Sequence, residues 1–468
     1  MILNLEFVRP LIKYIPEVRL PKKHVAFKEK LAWTSVILFL FFVMGVIFPV
    51  GVSPDDFQGG YLQMQIIFAS QMGSIISTGI GPIVTASIIL QLLVGAKMID
   101  LDLTNNDHKA LFQGTQKILT VIIAAFEAAA VVIGFRLGSS FLGESWAASH
   151  PIVMSAMFQI ALGSILLMYL DEVVSKWGIG SGIGLFIAGG VSKTIIAGSF
   201  NMIQDSSGYY LGLVPRFMQL LMEGIIALEV IFPVIATIIV FLMVVYGESM
   251  RLEIPLSYGG IRGVGGRYPL KFFYVSNIPV ILASALLMNV QMWARFVGVD
   301  VNNPGDLGIL QSIVYNISYY ATLGNLSGII SPTTWYRLMD VGIFSHLIVY
   351  SILFISLCIL FGKFWVETTG LGAEQVADQI QQGGMHIPGF RRDKRVVERV
   401  LNRYIPQITI ISSIAIGMLA VGADLLGALG SGTGILLTVG ILYRLYEEIQ
   451  KEQMADMHPA FRRFMGKK

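Results

Sequence analysis

A single cysteine, Cys358, stands among 468 residues, so the chain can close no disulfide on itself and offers no thiolate cluster to a metal. Histidine is also scarce: six residues are scattered, none forms an HExxH pair, and only His346 lies near an apolar run. Charged residues make up 13% of the chain against 54% hydrophobic ones. The ionisable groups within apolar runs reduce to Glu127, Lys193, Glu229 and Asp424, too dispersed for the convergent cluster that ion-coupled transport needs. The glycine runs at 178–184 (GIGSGIG) and 430–434 (GSGTG) match neither GxGxxG nor the P-loop, and neither reads GxSxG. Their spacing suits close approach of membrane helices. No enzyme, cofactor or metal site is therefore expected.

What the chain has in abundance is apolar sequence. A mean hydropathy of +0.70 marks a polytopic membrane protein. A helix needs about 20 mostly apolar residues to cross the hydrocarbon core. That rule predicts ten spans, at 31–50, 80–97, 118–136, 153–170, 180–200, 228–247, 273–294, 343–362, 407–425 and 432–446. Threading them with both termini cytoplasmic puts 28 of the 33 Lys and Arg residues on the cytoplasmic side, as the positive-inside rule requires. Residues 1–20 are amphipathic, are broken by Pro10 and Pro16, and lack a cleavable signal; they are expected to lie on the cytoplasmic surface.

The segment 59–78 (GGYLQMQIIFASQMGSIIST) is apolar yet interrupted by polar residues, and it ends at the break Gly79-Ile80-Gly81-Pro82. Were it a full crossing, the basic loops at 248–271 and 363–403 would face outward. Charge parity therefore makes it either re-entrant, lining a protein cavity, or an amphipathic helix on the outer surface. The chain accordingly divides into a cytoplasmic segment 1–30, a half at 31–200 including 59–78, an external connection 201–227, a second half at 228–446, and a tail 447–468. Five spans on each side of the connection are compatible with an inverted repeat, although no residue-level repeat is visible. Residues 315–324 are predicted as a short surface helix.

Two apolar pairs stand beside glycines, Ile80 with Val84 and Ile183 with Ile187, each four apart and so on one helix face. Ordinary packing explains them, and so does a narrow ring that gates a pore by dewetting. On the residues alone, a secondary transporter of small solutes and an intramembrane enzyme are the rivals, each lacking its chemistry.

Seven stretches resemble the SecY family, the large subunits of Sec protein-conducting channels: GIGPIVTASIILQLL (79–93), ALFQGTQK (110–117), YLDEVVSKWGIGSGIGLFIA (169–188), YPLKFFYVSNIPVILASAL (268–286), FWVETTGL (364–371), RYIPQIT (403–409) and GALGSGTGILLTVGILYRLYE (427–447). The likeness is to the archaeal and eukaryotic branch. It implies an all-α polytopic membrane protein of the cytoplasmic membrane, with ten transmembrane helices in two inverted five-helix halves and a re-entrant plug helix. By motif position the plug would include Leu62, Ile66, Ile67, Ser70 and Gly73, and the pore ring Ile80, Val84, Ile183, Ile187, Ile281 and Leu437. The lateral gate cluster would be Thr85, Glu127 and Asn289, with Glu127 as a hydrogen-bonded latch rather than a carboxyl merely satisfied by a neighbour. Ribosome contacts fall on Arg262, Arg391, Arg392 and Lys394. Implied partners are the SecE-type (gamma) and beta small subunits, the ribosome, signal peptides and nascent chains, and the lipid bilayer. Arg392 stands where the bacterial branch usually has proline, which favours the ribosome over a bacterial-type motor ATPase. Neutralising Arg262 and Arg391 together is expected to weaken ribosome binding and flatten its salt dependence, read as the slope of log affinity against log salt. An unchanged slope would overturn those contacts.

Overall fold

Lipid offers backbone groups no hydrogen-bond partner, so apolar runs must close their bonds internally as helices. In the computed structural model they do. It describes residues 8–23, 25–53, 62–95, 98–99, 101, 106–205, 207–258, 265–299, 308–382, 385–386 and 394–457. Helices α1 (Phe27–Met44), α3 (Gly81–Gly95), α4 (Asn106–Gly134), α5 (Pro151–Trp177) and α6 (Gly182–Phe200) occupy the first five predicted spans. Helices α8 (Leu228–Ser249), α9 (Ile278–Phe296), α11 (Val341–Thr368), α13 (Lys394–Leu425) and α14 (Gly432–Met457) occupy the second five. Among the described residues, seven helices are long and apolar enough to cross a membrane unaided. The other three have visible reasons to fall short: α1 begins with Lys28, Glu29 and Lys30, α3 has only 15 residues, and the distal half of α14 is charged.

Three helices run well beyond their predicted spans, namely α4 and α13 at their starts and α14 at its end. Hydropathy marks only the part in hydrocarbon, whereas a helix with good propensity continues into water until a breaker stops it. Outside the ten lie α2 (Leu62–Ile67), α7 (Leu213–Met222), α10 (Ile309–Tyr320) and α12 (Ala373–Gln382). The short helix predicted at 315–324 is thus α10, which starts six residues earlier and ends at Tyr320.

The two groups of five meet along two seams. On one, α3 and α4 pack against α9 and α11; on the other, α6 packs against α14. The register between the groups emerges from local geometry rather than from any extended residue-level repeat. Gly180-Ser181-Gly182-Ile183-Gly184 opens α6 and Gly430-Ser431-Gly432-Thr433-Gly434 opens α14, with Gly180 (φ 76°) and Gly430 (φ 80°) both left-handed. An aspartate caps each start, Asp171 half-buried and Asp424 buried. Asp171 Oδ1 accepts from Ile183 N at 2.8 Å, and Asp424 Oδ1 accepts from Gly432 N at 2.6 Å. Likewise Pro82-Ile83-Val84-Thr85-Ala86-Ser87 in α3 matches Pro279-Val280-Ile281-Leu282-Ala283-Ser284 in α9. Each is preceded by a left-handed residue at the same offset, Gly79 (φ 55°) and Ser276 (φ 57°).

On the basic face, strands β1 (Arg251–Tyr258) and β2 (Gly265–Lys271) form an antiparallel hairpin. Strand β3 (Met385–His386) adds to β1 through the pairs Ser257–His386 and Tyr258–Met385. The two large basic loops are thereby one sheet. The amino-terminal segment crosses the same face, where Lys176 Nζ donates to Glu17 Oε1 at 2.8 Å and Trp177 Nε1 donates to Arg19 O at 2.9 Å. The Lys176 ammonium holds the Glu17 carboxyl below its ordinary range.

Candidate functional site

The six predicted ring residues share one apolar core at the junction of the two groups. Ile80, Val84, Ile187 and Leu437 are buried, and Ile183 and Ile281 pack against them partly exposed. Val84, Ile183 and Ile281 border a cavity of about 320 Å³ that Arg444 and Glu448 also line. The repeat register makes Val84 the counterpart of Ile281, and Ile187 the counterpart of Leu437. Four of the six thus come in two equivalent pairs, from α3 and α9 and from α6 and α14, while Ile80 and Ile183 match Asn277 and Thr433. Branched and flexible aliphatics at such a constriction exclude water without fixing one shape.

Across the ring from that cavity sits the short segment 62–80. Only Leu62–Ile67 is helical, and the chain from there to Ile80 runs as a series of turns. Lipid would leave such backbone unpaired, but here its bonds close on protein. Ser70 N donates to Gln65 O at 2.8 Å, Ile80 N to Phe68 O at 2.8 Å, and Ile75 N to Ile47 O at 2.9 Å. Gly73 adopts φ 88°, and Ala69 is also left-handed at φ 46°. Ile66, Ile67, Phe68 and Ser70 are buried, whereas the Leu62 side chain lies outside the described residues. Two glycines admit the segment. A Cβ on Gly434 would stand 2.6 Å from Ile66 Cγ2, and one on Gly163 would stand 1.9 Å from Ile75 O. Thr78 and Ser164 bond through their hydroxyls beside that contact.

Thr85, Glu127 and Asn289 come together on the seam of α3 and α4 with α9. Asn289 Nδ2 donates to Thr85 Oγ1 at 2.7 Å, and Thr85 Oγ1 stands 2.8 Å from both Glu127 Oε1 and Gly81 O. One hydroxyl proton therefore has two acceptors within reach. Glu127 Oε2 and Asn289 Oδ1 are buried without a partner among the described residues. Glu127 Oε2 rests on Gly81, where a Cβ would come within 2.7 Å, and the Phe68 ring covers the same glycine at 3.5 Å. The segment 62–80 and the polar cluster thus touch the same turn.

Arg262, Arg391 and Arg392 lie outside the described residues, and of Lys394 only its place at the start of α13 is described. The chemistry of the sequence did not point to Asp171, which caps α6, nor to Glu248, buried at the end of α8. The shared GSGxG would have found Asp171, since Asp424 precedes the second copy. Among the described residues no group of three or more His, Cys, Asp or Glu could hold a metal ion.

The SecY family model matches residues 74–446. The chain is 46% identical to the protein translocase subunit SecY of Methanocaldococcus jannaschii over 98% of this chain and 99% of the relative. It resembles a solved SecY structure (TM-score 0.79, 43% identity, 97% of this chain, 99% of that one) from work in which the plug domain stabilises the closed state of the translocation channel and maintains a membrane seal. It also resembles Sec61 in a canine ribosome-channel complex of the endoplasmic reticulum (TM-score 0.79, 44% identity, 97% and 99% covered). If Gly434 seats the 62–80 segment, Gly434→Ala should push Ile66 out and raise ion leak through the reconstituted channel. Adding Ile66→Ala should restore the seal, and a leak unchanged in the first variant would refute the seating.

Proposed function

The chain belongs to the SecY family, and on that premise we infer that it is the channel subunit that carries signal-bearing polypeptides across the membrane and releases transmembrane segments sideways into lipid. The observation that carries this reading is the convergence of apolar side chains, four of them in two equivalent pairs, beneath a short segment held by backbone bonds. Ile80, Val84, Ile183, Ile187, Ile281 and Leu437 act as a gasket. Aliphatic side chains close around a peptide of any sequence without binding it tightly, because their contacts are weak and undirected. The 62–80 segment is the plug. Its seat includes the buried hydroxyl of Ser70, which has no partner among the described residues, a group that costs about 1–3 kcal/mol to leave unpaired and so keeps docking reversible.

Lateral release uses the seam of α3 and α4 with α9 and α11. Glu127, Thr85 and Asn289 are its latch, and the unpaired Glu127 Oε2 makes the closed latch only modestly stable. A sufficiently apolar signal displaces it by offering the seam more buried apolar area than the closed packing provides. Both termini and the β1–β3 sheet face the cytoplasm, as the Lys and Arg distribution supports. There the two basic loops meet a ribosome, as Sec61 does in its solved complex. Small SecE-type and beta subunits complete the channel. The chain performs no bond chemistry, and the partner supplies the driving force.

Cys358 is buried, so an added cysteine reports without competition from it. A stalled secretory chain is expected to crosslink to a cysteine at Ile183 in the assembled complex; failure across a series of chain lengths would sink the channel reading. Glu127→Leu is expected to change how hydrophobic a signal must be for translocation, measured with a graded signal series. The same dependence in variant and parent would remove the latch.

A further inference from the structure

Helix α10 is built inside out for a helix in water. Ile309, Leu310, Ile313 and Ile317 are 88%, 69%, 57% and 57% exposed, and Tyr320 continues their face. Its inward side is the polar one: Ser318 is fully buried, and Gln311 and Ser312 are half-buried. A water-facing helix carries the opposite arrangement, and a contiguous exposed apolar face of this kind marks contact with something apolar. The helix contains no charged residue. The exposed Asn316 turns its amide back onto Ser312 O at 2.8 Å, so its donor is already partly satisfied away from water.

Its surroundings identify the occupant. With 12 residues, α10 is about 18 Å long, too short to cross. It is fixed at both ends to membrane helices on the side away from the basic loops. Gln311 Nε2 donates to Val297 O at 3.4 Å, and Gln291 Nε2 of α9 donates to Ala321 O at 3.3 Å. His346 in α11 stacks on Tyr319 with centroids 4.3 Å apart, and its Nε2 lies 3.0 Å from Thr322 O. The first turns of α11 expose Val341, Phe344 and Ile348 to the same side, with Trp335 and Tyr336 exposed just before them. Trp and Tyr gather at the membrane boundary, so the apolar face of α10 continues a surface that already meets lipid.

We propose that α10 is an interfacial helix whose Ile309–Ile313–Ile317 face lies in the acyl-chain and headgroup boundary of the leaflet opposite the basic loops. Lacking basic residues, it is held by apolar burial alone, unlike the cationic helices that bind anionic surfaces. This goes beyond the channel reading and does not need it. Where the latch reading also holds, α10 joins the outer ends of both second-half gate helices, α9 and α11, and anchors them to the bilayer.

The test places a nitroxide on Ile313→Cys, and separately on Ser207→Cys as an exposed loop control, in a Cys358→Ala background. The assembled complex is reconstituted in phosphatidylcholine vesicles. At Ile313, collision with oxygen is expected to be several-fold stronger, relative to a soluble nickel chelate, than at Ser207. That ratio should not change with salt or with added anionic lipid. Nickel access equal to that at Ser207 would put the face in water and overturn the assignment. A label immobilised and shielded from both reagents would mean that a partner protein or a second copy covers it, which would overturn it equally. Translocation assayed on the same vesicles keeps loss of channel function distinct from either result.

Discussion

Hydrocarbon cannot satisfy a peptide group, and the rest of this molecule depends on that constraint. Ten segments meet it by closing their hydrogen bonds as helices. The stretch from Phe68 to Ile80 does not, and it survives only because protein surrounds it. Its amides reach Gln65, Phe68 and Ile47, and two glycines, Gly163 and Gly434, are cut back to backbone so that it can come close. Helices that begin within the protein meet the same demand at their first amides. Asp171 and Asp424 answer it for α6 and α14, offering charged acceptors to donors that would otherwise be orphaned.

The same constraint divides labour between apolar and polar contacts. In the proposed channel the ring parts and reseals around varied peptides, which suits groups with no directional preference. The proposed latch distinguishes closed from open, which suits a few directional bonds at low dielectric. Their strength is limited by their own stoichiometry: Thr85 has one proton for two acceptors, and Glu127 keeps one oxygen unpaired. Phe68, resting on Gly81 beside Glu127, links the two. On the proposed reading, displacing the segment 62–80 uncovers the turn against which Glu127 rests.

Much of this is legible in residue order. Charge parity excludes 59–78 as a crossing, and the structure places only a short helix and turns in its described part. Motif position also groups Thr85, Glu127 and Asn289, and these do meet, although 204 positions separate Thr85 from Asn289. The internal repeat is not legible in the same way. Its copies share only short runs, GSGxG and P-x-x-x-A-S, and what sets their register is backbone conformation at Gly79 and Ser276, and at Gly180 and Gly430. The glycine runs suggest helix packing, whereas Gly434 also makes room for the plug and Gly180 and Gly430 turn the chain. Neither property has a hydropathy signature, because a left-handed φ and a missing Cβ are local shape rather than polarity.

By itself the sequence determined which segments lie in lipid and where threading breaks down, because transfer of apolar groups depends on composition over about 20 residues. Only the tertiary structure decided what fills each gap: that Ile66 rests on Gly434, that the two basic loops share a sheet, that Asn289 reaches Thr85, and that α10 turns its apolar face outward. Those outcomes depend on contacts between residues far apart in the chain, and contact energies over a few ångströms are set by the packed geometry rather than by composition.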